Sequence, residues 1–301
     1  MKRIILFLAV NIAAVAMLTF VAALVCSLLG VDISELSGDA DGMLPLLGFA
    51  FVFGMAGSLV SLFLSKKMVK ASMRCRTIDG SEGDAERWLV DTIADLARRA
   101  GVKMPEVAIY PGDANAFATG AFKNSALVAV STGIMEQMSR EELRAVLGHE
   151  MSHVSNGDMV TMCLAQGVVN TFVIFFAHII ANVVQGALSG GKNRRGRGGY
   201  GLYHMIVQVA QLALGLLSSI VLLWYSRRRE YAADAGSARL LGSPSPMIAA
   251  LRRLGNLQPG VLPDSIKAFG IAGGKTSLFA THPSLEDRIA ALMNLPPDTA
   301  A

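Results

Sequence analysis

The chain has 301 residues, and only 17% of them are charged, against about a quarter in an ordinary soluble domain. Four stretches (4–31, 42–65, 159–191 and 198–226) contain no Asp, Glu, Lys or Arg, so the charge is confined to the segments between them. With 52% hydrophobic residues and three cysteines in no framework spacing, this excludes a purely soluble enzyme, a disordered chain and a small disulfide scaffold.

The first run exceeds the 7–15 residue core of a cleaved signal peptide and reads as a retained anchor. All four runs reach the roughly 20 residues that a helix needs to cross the hydrocarbon. Lys2 and Arg3 precede the first run, the following loop carries Asp32, Glu35, Asp39 and Asp41, and Lys66, Lys67, Lys70, Arg74 and Arg76 follow the second. The excess of basic residues on one side puts both ends of this hairpin, 1–65, in the cytoplasm. The same clustering makes the net charge of +4 a matter of topology, and no nucleic-acid partner is expected.

Segment 66–158 reads as mixed α and β. Ala85 to Ala100 is expected to be a helix with Leu89, Ile93 and Leu96 on one face and Gly101 as its stop. Short strands are expected at Glu106–Tyr110, Ala114–Thr119 and Ala126–Ser131, with turns between them. Ser139 and Glu142 have the spacing of a capping box and launch a helix that runs through His153. The second hairpin, 159–226, has a basic loop from Lys192 to Arg197. Parity places this loop outside and charge bias places it inside, so a crossing hairpin and one that enters without crossing both fit. Arg227, Arg228 and Arg229 return the chain to the cytoplasm, and 227–301 reads as charged and helix-rich. The expected fold class is an α-helical multi-pass membrane protein carrying a mainly α (α+β) soluble domain.

His149-Glu150-Met151-Ser152-His153 lies on the capped helix. The i, i+4 spacing sets both imidazoles on one face, where they can grip one Zn²⁺, with Glu150 placed to act as general base on a water. A catalytic zinc takes three protein ligands and leaves a position for water. Glu230 is the expected third ligand. It directly follows the fourth run, as the His-containing motif directly precedes the third, so pairing of the two runs brings them side by side. Asp234, four residues on, is expected to accept the second N–H of a ligating histidine. The competing reading for both carboxylates is an ion pair with Arg227–Arg229. His178 and His204 fall in or beside apolar runs and read as packing or bonding residues. Asp158, where the metal helix ends at the membrane entry, reads as an interface residue, with a supporting role beside the metal ligands as the alternative.

The chain resembles the HtpX membrane metalloproteases, relatives of the type I CAAX prenyl endopeptidases. The resemblance rests on Asn115 to Gly120, Gly148 to Val160, Arg229 to Leu240 and Thr281 to Ser284, with the apolar runs in the same order; the Gly/Arg-rich loop 190–201 departs from it. It implies a zincin-like gluzincin domain with His149, His153 and Glu230 as zinc ligands and Glu150 as base. By the same resemblance His282 is a candidate donor to the oxyanion; the alternative is a turn residue that caps the helix Leu285–Leu292. Asn115, on an expected edge strand, is a candidate for holding substrate backbone, against a plain turn-adjacent role. The implied function is zinc-dependent endopeptidase action on damaged membrane proteins and unfolded polypeptides, in quality control at the cytoplasmic face of the inner membrane. The protease domain then comprises 66–158 and 227–301. An intramembrane protease and a non-proteolytic scaffold or transporter are the alternatives.

Overall fold

A computed structural model describes Ser27 and residues 40–188, 197–256 and 282–296. The first apolar run and most of the Gly/Arg-rich loop lie outside the described residues. The described chain is mostly helical with one small sheet.

Among the described residues, three helices are long and apolar enough to cross a membrane: α1 (Ala40–Ser72), α5 (Asp158–Leu188) and α6 (Arg197–Leu241). The last has 45 residues. At about 1.5 Å per residue it can cross a core about 30 Å thick and continue beyond it. The chain divides into two compact units. One takes in residues up to Val60 and Cys163–Leu222, and the other takes in Ser61–Met162 and the residues from Leu223 onward. In the first, His178 Nδ1 donates to Ile174 O (2.8 Å), and Gln166 donates to Asn170 Oδ1 (2.8 Å). Both side chains thus find a partner within their own helix, while Cys163 Sγ reaches Ser58 O of α1 at 3.2 Å.

The second unit holds the sheet, in the order β1 (Arg76–Ile78), β2 (Glu106–Tyr110), β4 (Leu127–Ser131), β3 (Ala116–Thr119). β2 and β4 are parallel; β1 and β3 pair antiparallel at the edges. The side-chain alternation of strands sends Val107, Ile109, Val128 and Val130 to one face and Ala108, Tyr110, Leu127 and Ala129 to the other. The first face packs on Leu89, Ile93 and Leu96 of α2 (Asp84–Ala100), and on Leu143, Val146, Leu147 and Met151 of α4 (Arg140–Asn156). Met247, Leu251 and Leu254 of α7 (Ser245–Asn256) and Leu292 of α8 (Leu285–Met293) complete that core. The second face is covered by Val69 and Met73 at the end of α1. Both faces are therefore buried. A short helix, α3 (Thr132–Gln137), follows β4.

β4 starts at Leu127 where Ala126 was expected, and α3 and β1 are additions to the expected elements. β1 was not anticipated, because three residues with one buried side chain carry no readable periodicity. β3 starts at Ala116 rather than Ala114. Elsewhere the local signals operate as read. Gly101 ends α2 at φ 66°, and Ser139 and Glu142 close the capping box at 3.2 and 2.8 Å.

Candidate active site

α4 carries His149, Glu150 and His153, and α6 carries Glu230 and Asp234. The two helices meet through small residues. Ser237 donates to Ala145 O at 2.7 Å, and Ser152 turns its hydroxyl back to Gly148 O at 2.8 Å. This close approach lets the carboxylate of one helix reach the imidazoles of the other. His153 Nε2 lies 3.4 Å from Glu230 Oε1, and His149 Nε2 lies 3.5 Å from Glu230 Oε2. Among the described residues, His149, His153 and Glu230 form a group positioned to hold a metal ion, with ligand atoms within 4.8 Å of one another. All are buried except His153, which is partly exposed.

The two ring protons have defined places. His149 Nδ1 is 2.9 Å from Asp234 Oδ1, and His153 Nδ1 is 2.6 Å from Asp158 Oδ2. With each Nδ1 donating to a carboxylate, the neutral rings turn their Nε2 lone pairs toward each other at 3.1 Å. Nitrogens so placed share a proton when one ring is protonated, and hold a metal ion between them when both are neutral. Burial draws the His153 imidazole down, but the hydrogen bond to Asp158 and the Glu230 carboxylate outweigh it, and its pKa is pushed up to about 10. His149 moves upward for the same reasons, with Asp234 as its principal partner. Glu230 Oε2 and both ring nitrogens of His282 are buried without a well-directed hydrogen bond, although His282 Nδ1 is only 2.9 Å from that oxygen. Unsatisfied donor atoms around a pair of apposed imidazoles fit a resident cation.

Of the two readings of Asp158, the structure takes the supporting one: it orients His153 as Asp234 orients His149. The contact depends on Gly157, whose φ of 70° ends α4 and turns the chain into α5. The competing ion pair is not what Arg229 makes: it donates to Asp158 O at 3.1 Å and to Ser226 Oγ at 3.3 Å. The counter-charge is Arg288 on α8, fully buried, which grips Asp234 with Nε at 2.8 Å and Nη2 at 2.6 Å. Its Nη1 lies 3.7 Å from Glu230 Oε2. Sequence reasoning missed Arg288. The one available signal was an arginine on the buried face of a short amphipathic helix, six residues after His282.

Glu150 is buried on the same helix, and the nearby backbone N–H of Ala118 in β3 favours its ionised form. Burial pushes the Glu150 carboxyl up, against the pull of His149 and His153. His282 lies beside Glu230 and does not cap α8; Ser284 does, accepting from Asp287 N at 3.0 Å. Asn115 is buried one residue before edge strand β3, with its backbone tied to Ser131 at both N–H and C=O, each at 2.9 Å. His178 and His204 lie in the other unit.

A histidine pair on one helix, a carboxylate from a second and long apolar helices alongside define a membrane-attached metalloprotease of the zincin type. The chain belongs to Peptidase family M48, whose profile matches residues 84–295. It is 54% identical over 295 residues to a protease HtpX homolog of Verminephrobacter eiseniae (strain EF01-2), covering 98% of this chain and 99% of that one. It is 50% identical over 299 residues to a protease HtpX homolog of Janthinobacterium sp. (strain Marseille), covering 98% and 100%. The fold is similar to the crystal structure of S. mikatae Ste24p, with a TM-score of 0.57 at 18% identity; the match covers 97% of this chain and 65% of that protein's length. The chain is thus a membrane metalloprotease with protein substrates. α4 is not among the helices long and apolar enough to cross a membrane.

Proposed function

We propose that this metalloprotease is a zinc-dependent endopeptidase held by His149, His153 and Glu230, with Glu150 as its general base. The observation that carries the reading is the apposition of the two Nε2 atoms at 3.1 Å while both Nδ1 atoms face carboxylates. When bound there, zinc supplies a Lewis acid that acidifies water and polarises the scissile carbonyl. Glu150 takes the proton from the attacking water and returns it to the leaving nitrogen. His282 donates to the oxyanion that develops at the attacked carbonyl. Asp234 and Asp158 hold the imidazoles in the tautomer that leaves Nε2 free, and Arg288 holds Asp234. Asn115 and β3 align the substrate backbone as an added strand.

The reading extends to place and purpose. The basic residues that follow the second and fourth apolar runs support an inner-membrane protein whose protease domain, 66–158 with 227–301, faces the cytoplasm. The substrates are then loops and ends of damaged or misfolded membrane proteins and other unfolded polypeptides, and the role is quality control under stress.

The test is metal analysis with cleavage of casein and of a membrane-anchored substrate, for wild type and Glu150→Gln. One zinc per chain is expected in both, with cleavage lost in the variant and in wild type treated with chelator. Cleavage that persists in chelator, or in a zinc-loaded Glu150→Gln protein, overturns the mechanism.

A further inference from the structure

The loop between β3 and β4 has a feature that catalysis leaves unexplained. Phe122 is 61% exposed at its tip, in the unit that holds the sheet. Its ring lies 6.0 Å from the ring of Phe63, itself 57% exposed on the membrane-crossing helix α1. Phe63 is three residues before Lys66, where charge resumes after the apolar run. It therefore lies near the end of the charge-free part of that helix, with Phe122 beside it. Lys123, also exposed, passes its side chain over Gly157: a Cβ there would meet Lys123 Cε at 3.3 Å. Gly157 is the residue before α5, a second candidate span. The loop thus touches the chain at two points where it passes between apolar and charged sequence.

The tip is built to hold this position. Gly120 adopts φ 138°, and a Cβ there would come within 2.8 Å of Ser125 O, so the loop closes tightly at its base. A 3₁₀ turn over Lys123–Ser125, with Ser125 N donating to Phe122 O at 3.0 Å, fixes the residue that follows the aromatic ring. Asn124 accepts from Lys103 N at 3.4 Å. An aromatic side chain displayed on a closed turn, beside a second exposed ring and followed by a lysine, has the composition of an interfacial anchor.

We propose that loop 120–125 is a membrane contact, in which Phe122 enters the headgroup–acyl boundary beside Phe63 and the Lys123 stem follows it with its amine toward lipid phosphate. The loop leaves directly from Thr119, the last residue of β3. It therefore anchors the edge strand at the lipid surface, where a polypeptide leaving the bilayer passes. The inference depends on α1 being a membrane span and not on any catalytic role.

The full chain reconstituted in bilayers tests it without an activity readout. Phe122→Trp is placed in a background with Trp88 and Trp224 changed to Phe. Its emission is expected to shift blue and to be quenched by lipids brominated near the headgroup more than by lipids brominated at the chain ends. A second variant, Phe122→Cys with the three native cysteines changed to Ser, carries a spin label expected to collide with oxygen more than with a water-soluble nickel chelate. Emission that brominated lipid leaves unchanged, or a label as open to the nickel chelate as one in free solution, overturns the proposal. A failure of the zinc mechanism would change neither readout.

Discussion

Gly236 on α6 and Ser152 on α4 approach so closely that a Cβ on the glycine would lie 2.4 Å from the serine Oγ and 2.7 Å from its Cβ. One turn away the roles reverse: a Cβ on Gly148 would lie 2.8 Å from Ser237 Oγ. These two small pairs set the spacing of the helices that carry the imidazoles and the third carboxylate. Gly236→Ala is expected to force them apart at a cost of about 1–3 kcal/mol, and to lower bound zinc along with the thermal midpoint. Adding Ser152→Gly should restore much of both, because it removes the obstructing atoms. Metal analysis and thermal unfolding of the single and double variants check this.

Arg288 forms a two-point grip on Asp234 with no exposure to water. Arg288→Met leaves buried carboxylates without their counter-charge and should cost about 3–5 kcal/mol. Arg288→Lys keeps the charge but not the planar fork. It should fold better than the methionine variant and still bind zinc more weakly than wild type. Melting curves with and without added zinc distinguish the two effects.

Asp158 and Asp234 perform matching tasks for His153 and His149. Asp158→Asn and Asp234→Asn are each expected to reduce zinc affinity by about 10- to 100-fold. Competition with a chromophoric chelator measures this directly. Equal affinity in Asp158→Asn and wild type would return Asp158 to a plain junction residue.

Asp95 on α2 joins two helices, pairing with Arg99 at 2.8 Å and with Arg144 of α4 at 2.9 Å, with Arg98 alongside. Burial alone would raise the Asp95 carboxyl, but Arg99, Arg98 and Arg144 together hold it below its usual value. Its folded pKa therefore lies beneath the unfolded value of about 3.9. The stabilisation is complete above that unfolded value and disappears as pH falls through the folded one. Asp95→Asn should cost no more than about 1 kcal/mol near neutrality, and the gap from wild type should close in acid. Thermal unfolding of both proteins across pH tests the sign.

Much of this molecule is written locally. A charge-free run of sufficient length must leave water, and Ser139 with Glu142 starts a helix wherever the chain places it. The i, i+4 spacing of His149 and His153 faces both rings one way before any tertiary contact exists. Glu230 was accessible by one further step, since two runs that pair as a hairpin return their ends to one place.

Other features have no local signature. Arg288 reaches Asp234 across 54 residues and approaches the His149 ring across 139, and no window of sequence joins such pairs. The role of Asp158 depended on a left-handed glycine between α4 and α5, where the sequence left an interface role and a supporting role both open. β1 exists because β2 offers it a partner, not because Arg76, Thr77 and Ile78 prefer to be a strand. Residue type and periodicity determined which atoms this protein has available for a metal. Close helix packing at Gly148 and Gly236, and the burial of charges that must then find one another, decided which of those atoms meet.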